Sequence, residues 1–260
     1  MVTMRSRRRF WWATSLVLGS FVVSGCATSG SARPDLDGLP GKISAQSGRP
    51  GLVIAAPHGT SDARTGEIAT ELGRRTGFGV VVATGFNLEL DSRESPGRRY
   101  QVNRPFEGTP GRPASEDVAS EGARRVYRAY EQQVREVAQG PLILYVEIHG
   151  NNHREVADRI EIATVGVDRD EALRLRTLLE LVRDAHLRAN REVPRLEIFV
   201  EPANTLRYAA SSAKRDGLLS VTKRALHVEL PKAARTDWRE IYVAILADFL
   251  VQAVPLPAGR

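Results

Sequence analysis

Short continuous apolar runs, separated by stretches with helical spacing, limit this chain to a small set of layered folds. Leu52 to Ala56, Gly79 to Ala83 and Pro141 to His149 are each too short for a core helix and carry no polar alternation. Such runs read as strands buried on both faces. Further strands are expected at 158–165, 195–200 and 225–230. Residues 63–76 place Ile68 and Leu72 on one helical face, and helices are also expected at 115–138, 168–190 and 237–253. Ser115 is the expected N-cap of the second of these. Strands alternating with helices predict an α/β protein, a three-layer α/β/α sandwich on a mixed, largely parallel central sheet. Ligands in such folds collect at the C-terminal ends of strands. The stretch from Gly85 to Pro113, rich in Gly, Pro, Arg and Asn, reads as one long site-bearing connection. No internal repeat is visible.

The first residues have a different character. Arg5, Arg7, Arg8 and Arg9 precede an apolar run from Phe10 to Val23, which leads into Ser24-Gly25-Cys26. This is the charged, apolar and small-residue order of an export signal, and the run falls short of the ~20 apolar residues of a membrane span. Val23 to Cys26 resembles a bacterial lipobox, which implies a lipid on Cys26 and attachment to a membrane of the cell envelope, outside the cytoplasm. The expected divisions are a signal at 1–25, a flexible tether at 26–49, rich in Ser, Gly and Pro, and a catalytic domain at 50–260. As the only cysteine, Cys26 leaves the domain without an internal disulfide or thiolate metal site. The signal takes four basic residues and no acidic one, so the formal charge falls from +6 to +2. That argues against a nucleic-acid partner, which needs Lys and Arg concentrated in the folded domain. Oligomeric state is not legible.

Two strand ends carry metal-ligand chemistry. The first strand runs into Pro57-His58-Gly59-Thr60-Ser61-Asp62, which puts an imidazole and a carboxylate on one strand-to-helix turn. Another ends in Val146-Glu147-Ile148-His149, where alternation places Glu147 and His149 on the same face. His58, Asp62 and His149 together would supply three ligands and leave a zinc position open for water. Arg98-Arg99-Tyr100-Gln101-Val102-Asn103-Arg104 offers guanidinium forks and an amide, suited to a carboxylate or a polarised carbonyl. Glu229 lies in the apolar strand Leu226-His227-Val228-Glu229-Leu230, where burial would raise its pKa toward the range useful to a general base. His153 and His186 are expected at the surface and His227 in the core.

The order His58 with a nearby carboxylate, Asn103-Arg104, His149, then Glu229-Leu230-Pro231 resembles that of the zinc carboxypeptidase superfamily, closest to its N-formylglutamate amidohydrolase-like branch. The resemblance spans residues 52 to 235. It implies a Zn2+ cofactor on His58 and His149, and Glu229 as the base acting on zinc-bound water. It also implies that Asn103 and Arg104 hold a substrate carboxylate, that Arg99 polarises the scissile carbonyl or stabilises its oxyanion, and that Glu147 orients the site from behind. Carboxypeptidases carry a ligand Glu three residues after the first His, where this chain has Ser61. Asp62 is the nearest replacement and Glu67 the reserve.

The expectation is therefore a zinc-dependent hydrolase of amide bonds in small peptides, cell-wall fragments or acyl-amino acids. The alternative is a lipid-tethered binding module on the same fold with catalysis lost. A Gly-x-Ser-x-Gly elbow and a Gly-rich phosphate loop with Lys and Ser or Thr are both absent.

Overall fold

The computed structural model describes residues 36, 38–88 and 97–254. Cys26 and the expected signal lie outside them. Among the described residues no helix is long and apolar enough to cross a membrane.

The apolar runs become the middle of a seven-stranded sheet. Strands β1 (Lys42–Gln46), β2 (Arg49–Ala56) and β3 (Phe78–Thr84) open the chain, with helix α1 (Thr65–Thr76) between β2 and β3. Gly77 takes the left-handed conformation (φ 72°) that ends α1 and lets β3 begin at the next residue. Four very short strands follow: β4 (Asn87–Leu88), β5 (Arg98–Tyr100), β6 (Phe106–Gly108) and β7 (Val118–Ala119). Next come α2 (Glu121–Ala138), β8 (Leu144–Asn151), β9 (Arg159–Val165), α3 (Arg169–Leu187) and β10 (Glu197–Val200). Finally α4 (Ser211–Asp216) leads to β11 (Ala225–Pro231), α5 (Lys232–Arg235) and α6 (Arg239–Ala253).

The sheet order is β1-β3-β2-β8-β11-β9-β10. The four central strands β3, β2, β8 and β11 run parallel, β1 joins β3 and β9 joins β11 antiparallel, and β10 lies parallel to β9. The sheet is mixed and largely parallel, with helices on both faces, as the alternation of elements predicts.

Alternation divides each central strand between two cores. Ile54, Val146, Ile148 and Val228 pack with Ile68, Leu72, Leu175, Leu246 and Phe249 of α1, α3 and α6. Val53, Ala55, Val81 and Tyr145 face Val126, Tyr130 and Val134 of α2. On β8 and β11 this second face turns polar toward the strand ends, through Glu147, His149, His227 and Glu229, all buried. Parallel pairing sets His227 beside Glu147 and Glu229 beside His149. The site is thus the outer half of one sheet face, beyond the part that α2 covers.

Three expectations are corrected. The tether does not reach residue 49, because β1 pairs with β3 from Lys42 onward; as an edge strand β1 buries only Ile43, too little for a periodic signal. The connection from 85 to 113 is not irregular throughout, because β4 to β7 form a second, four-stranded sheet. Its ordering force is polar: Asp117 lies almost fully buried and accepts from Arg99 Nη2 at 2.5 Å and Gln101 Nε2 at 2.5 Å. The following helix begins at Glu121 and not at 115. Ser115 sits in a single 3-10 turn, whereas Ser120 Oγ accepts from Ala123 N at 3.0 Å and is the true N-cap.

Ser120→Ala is therefore expected to destabilise the domain by about 1 kcal/mol. Ser115→Ala should stay within about 0.5 kcal/mol. Equilibrium denaturation of the two variants distinguishes these placements of the helix start.

Candidate metal centre

His58 and Asp62 occupy the turn between β2 and α1, and His149 the end of β8, two strands that are neighbours in the sheet. Asp62 Oδ2 lies 3.5 Å from His58 Nδ1 and 3.3 Å from His149 Nδ1. One ligand atom from each of the three residues falls within 4.8 Å of the others. The far side of each imidazole fixes its tautomer. His58 Nε2 donates to the carbonyl of Gln101 at 3.0 Å, and His149 Nε2 to Glu147 Oε2 at 3.2 Å. In neutral rings both Nδ1 lone pairs then point at a carboxylate oxygen. Acceptors facing one another in this way are satisfied by a metal ion or by a second proton on an imidazole, and two imidazoles with a carboxylate are a donor set that suits zinc with a position left open.

The charge balance agrees. Burial alone would disfavour ionised His149, but its hydrogen bonds to Asp62 and Glu147 outweigh this and raise its pKa well above the ordinary range. Burial likewise opposes ionisation of Asp62, yet the hydrogen bonds from His149 and His58 carry its pKa below the usual carboxylate range. A metal ion and the second proton on His149 compete for one place.

A second cluster, Glu147, His149 and His227, also brings its ligand atoms within 4.8 Å. Glu147 is already committed. Its carboxylate is fully buried and accepts from Tyr145 Oη at 3.0 Å, Asn103 Nδ2 at 3.2 Å, His149 Nε2 at 3.2 Å and His227 Nδ1 at 3.0 Å. Burial pushes its pKa up, but the bonds from His149 and His227 prevail and leave it ionised. It braces the site and offers no free ligand atom.

Glu229 stands across from His149. Its Oε1 is 3.4 Å from His227 Nε2, and its Oε2 is buried with no hydrogen-bond partner. The expected rise in its pKa is corrected: burial acts upward, but the hydrogen bond from His227 and the charges on His149 and His227 lower it overall. Glu229 is therefore an ionised acceptor with an unused oxygen. His227, expected in the core, is buried but belongs to this network, stacked on His149 with ring centroids 4.0 Å apart. The signal available in the sequence was its position two residues before Glu229 on a strand too apolar to leave an imidazole unpartnered.

His58, Asp62, His149, His227 and Glu229 line a cavity of about 630 Å³, and so do Asn103 and Arg104. Asn103 gives its Nδ2 to Glu147, so it acts first as a brace. Val102, between Gln101 and Asn103, adopts φ 57°, a left-handed conformation that a β-branched residue rarely takes. That turn sets the Gln101 carbonyl on His58 and the Asn103 amide on Glu147, so local strain is stored where it orients the site. Arg99 does not line the cavity. Its guanidinium bonds Asp117 and the Arg112 carbonyl, which removes it as the carbonyl-polarising group. Glu67 is exposed and paired with Arg64 and Arg239, beside a larger cavity of about 790 Å³ between α1 and α6, where neither candidate metal cluster lies. His153 contacts Arg207, and His186 pairs with Asp248, both toward the surface.

Arg235 gave no sign in the sequence, where it looks like a solvated residue of a short helix. It is 2% exposed. Its guanidinium donates to the carbonyls of Leu230 at 3.1 Å, Ala63 at 2.7 Å and Asn151 at 2.9 Å, and to Asn152 Oδ1 at 2.8 Å. One side chain thereby ties together the segments that follow Glu229, Asp62 and His149. Gly150 makes this possible, since a Cβ there would lie 2.4 Å from Arg235 Nε.

No protein-family model matches the chain, and no curated protein matches it. Among solved structures, it is similar to a bacteriophage poly-gamma-glutamate hydrolase at 14% identity, over 83% of this chain and 88% of that one, with a TM-score of 0.46. It is also similar to zinc-free apo YndL, at 12% identity over 81% and 89% of the two chains and a TM-score of 0.48. N-acetylmuramoyl-L-alanine amidase AmiC2 of Nostoc punctiforme is another, at 14% identity over 80% and 97% and a TM-score of 0.33. Likeness at this level carries no argument about chemistry, which rests on the residues of this chain.

Arg235→Gln is expected to lower the affinity for Zn2+ about 10- to 100-fold, measured by competition with a chromogenic chelator, with the far-UV circular dichroism unchanged. Unaltered affinity would remove Arg235 from the support of the site.

Proposed function

We propose that this protein is a zinc-dependent hydrolase of amide bonds, acting on small peptides, cell-wall fragments or acyl-amino acids that carry a free carboxylate. The observation that supports this most is the convergence of His58 Nδ1, Asp62 Oδ2 and His149 Nδ1 in the cavity that also holds the buried, unpartnered Oε2 of Glu229. Zinc, when bound, would polarise the scissile carbonyl and acidify water.

The chain's own residues account for the rest. Glu229, kept ionised by His227, takes the proton of the attacking water on its free oxygen and passes it to the leaving amine. Arg104 engages the substrate carboxylate; its guanidinium lies 3.6 Å from buried Asp117, which limits its swing. Glu147 holds His149 and His227 in register by accepting from both. Asp62 supplies a carboxylate where Ser61 offers none. The reading includes export and a lipid on Cys26, so that the domain works on material outside the cytoplasm.

Glu229→Gln is expected to retain about one zinc per chain and to lose turnover by about 10²- to 10⁴-fold, followed by release of free amine from a panel of peptides and acyl-amino acids. Chelation should abolish activity and added Zn2+ restore it. Full activity in the Gln variant, or in metal-free protein, would sink the proposal.

A further inference from the structure

Small-molecule sites are usually lined by hydrophobic and aromatic side chains with only a few polar groups among them. This cavity is the reverse. Amides and hydroxyls line it from four separate stretches of chain, in Gln101 (whose Nε2 is held by Asp117), in Ser115, in Asn151 and Asn152, and in Ser211 and Ser212. Among the described residues, no aliphatic side chain larger than alanine lines it, and Tyr208 is its one aromatic ring apart from the histidines. Gln101 and Asn151 are both 6% exposed and belong to the wall, where Asn151 Nδ2 is buried without a hydrogen-bond partner, whereas Asn152 and Ser211 are exposed and Ser212 is half-buried. Arg104 is the one Lys or Arg among the lining residues.

These features bear on what a ligand must bring. A carboxylate satisfies Arg104, and the space around it offers hydrogen bonds where a leucine or phenylalanine side chain would need apolar contact. An aliphatic or aromatic group entering here would strip water from amides and hydroxyls without replacing their hydrogen bonds, and sites built of such groups reject ligands that cannot pair with them. We propose that the carboxylate-bearing half of the substrate carries a hydrophilic side chain, a hydroxyl or a carboxamide, and that the cavity selects against aliphatic and aromatic amino acids. This inference rests on the amide-hydrolase reading and deepens it by naming the substrate class.

The test separates selectivity from chemistry. Binding of N-acetyl-glutamine, N-acetyl-serine, N-acetyl-leucine and N-acetyl-phenylalanine to the zinc-loaded full chain carrying Glu229→Gln is measured by calorimetry. Hydrolysis of the same four compounds by the unaltered chain is followed in parallel. The glutamine and serine compounds are expected to bind, and to be turned over, at least about tenfold better than the other two. Ser212→Leu, introduced beside Glu229→Gln, should narrow that binding margin. Equal or reversed preference in binding overturns the inference, as does failure of all four to bind. The expected preference in binding without turnover by the unaltered chain overturns the hydrolase reading instead, and leaves the selectivity of the cavity supported.

Discussion

A carboxylate with no access to water, Glu147, sits in the central strand β8, and the arrangement of the site follows from the need to satisfy it. A buried charge is tolerated only when its lone pairs are filled. Tyr145, Asn103, His149 and His227 fill them from β8 itself, the 101–103 turn and β11. Each donor is thereby oriented. His149 must present its other nitrogen outward to Asp62, and His227 its other nitrogen to Glu229. The positions of ligand and base thus descend from one hydrogen-bonding requirement two residues below the cavity.

Two further buried charges do comparable work for the loops. Arg235 gathers the backbone carbonyls of Asn151 and Leu230, in the last residues of β8 and β11, and of Ala63 beyond β2, and Asp117 gathers Arg99 and Gln101 while standing near Arg104. The apolar cores on either side of the sheet determine that the strands lie side by side. They leave the strand ends free, and polar side chains complete the geometry there.

That division explains what was legible in the sequence. The central strands and main helices were readable because apolar periodicity specifies them, as in Leu52 to Ala56 and the Ile68 and Leu72 face of α1. His58, Asp62, His149 and Glu229 were readable because they are unusual residue types at the ends of such runs, and the structure brings them into the wall of one cavity. Strand β1, the second sheet and the true start of α2 were not, since each depends on a pairing partner or a cap that leaves no apolar pattern. Arg99 and Arg104 stand five residues apart in one basic stretch, and only their distances to Asp117 and to the cavity separate a scaffold residue from a candidate ligand-binding one. Arg235 was invisible because its partners are mostly backbone carbonyls, which every sequence supplies equally.

The hydrogen-bonded chain does not stop at Tyr145. Its hydroxyl lies 3.2 Å from that of Tyr130, which belongs to α2 and is fully buried on the same face of the sheet as the site. Burial keeps both phenols protonated, so a file of polar hydrogens runs from the covering helix through the sheet face to the imidazoles. Helix α2 is thus joined by hydrogen bonds to a site that lies beyond the part of the sheet it covers. A change at Tyr130 therefore reaches both the packing of α2 on the sheet and, through Tyr145, the hydrogen bonding of Glu147.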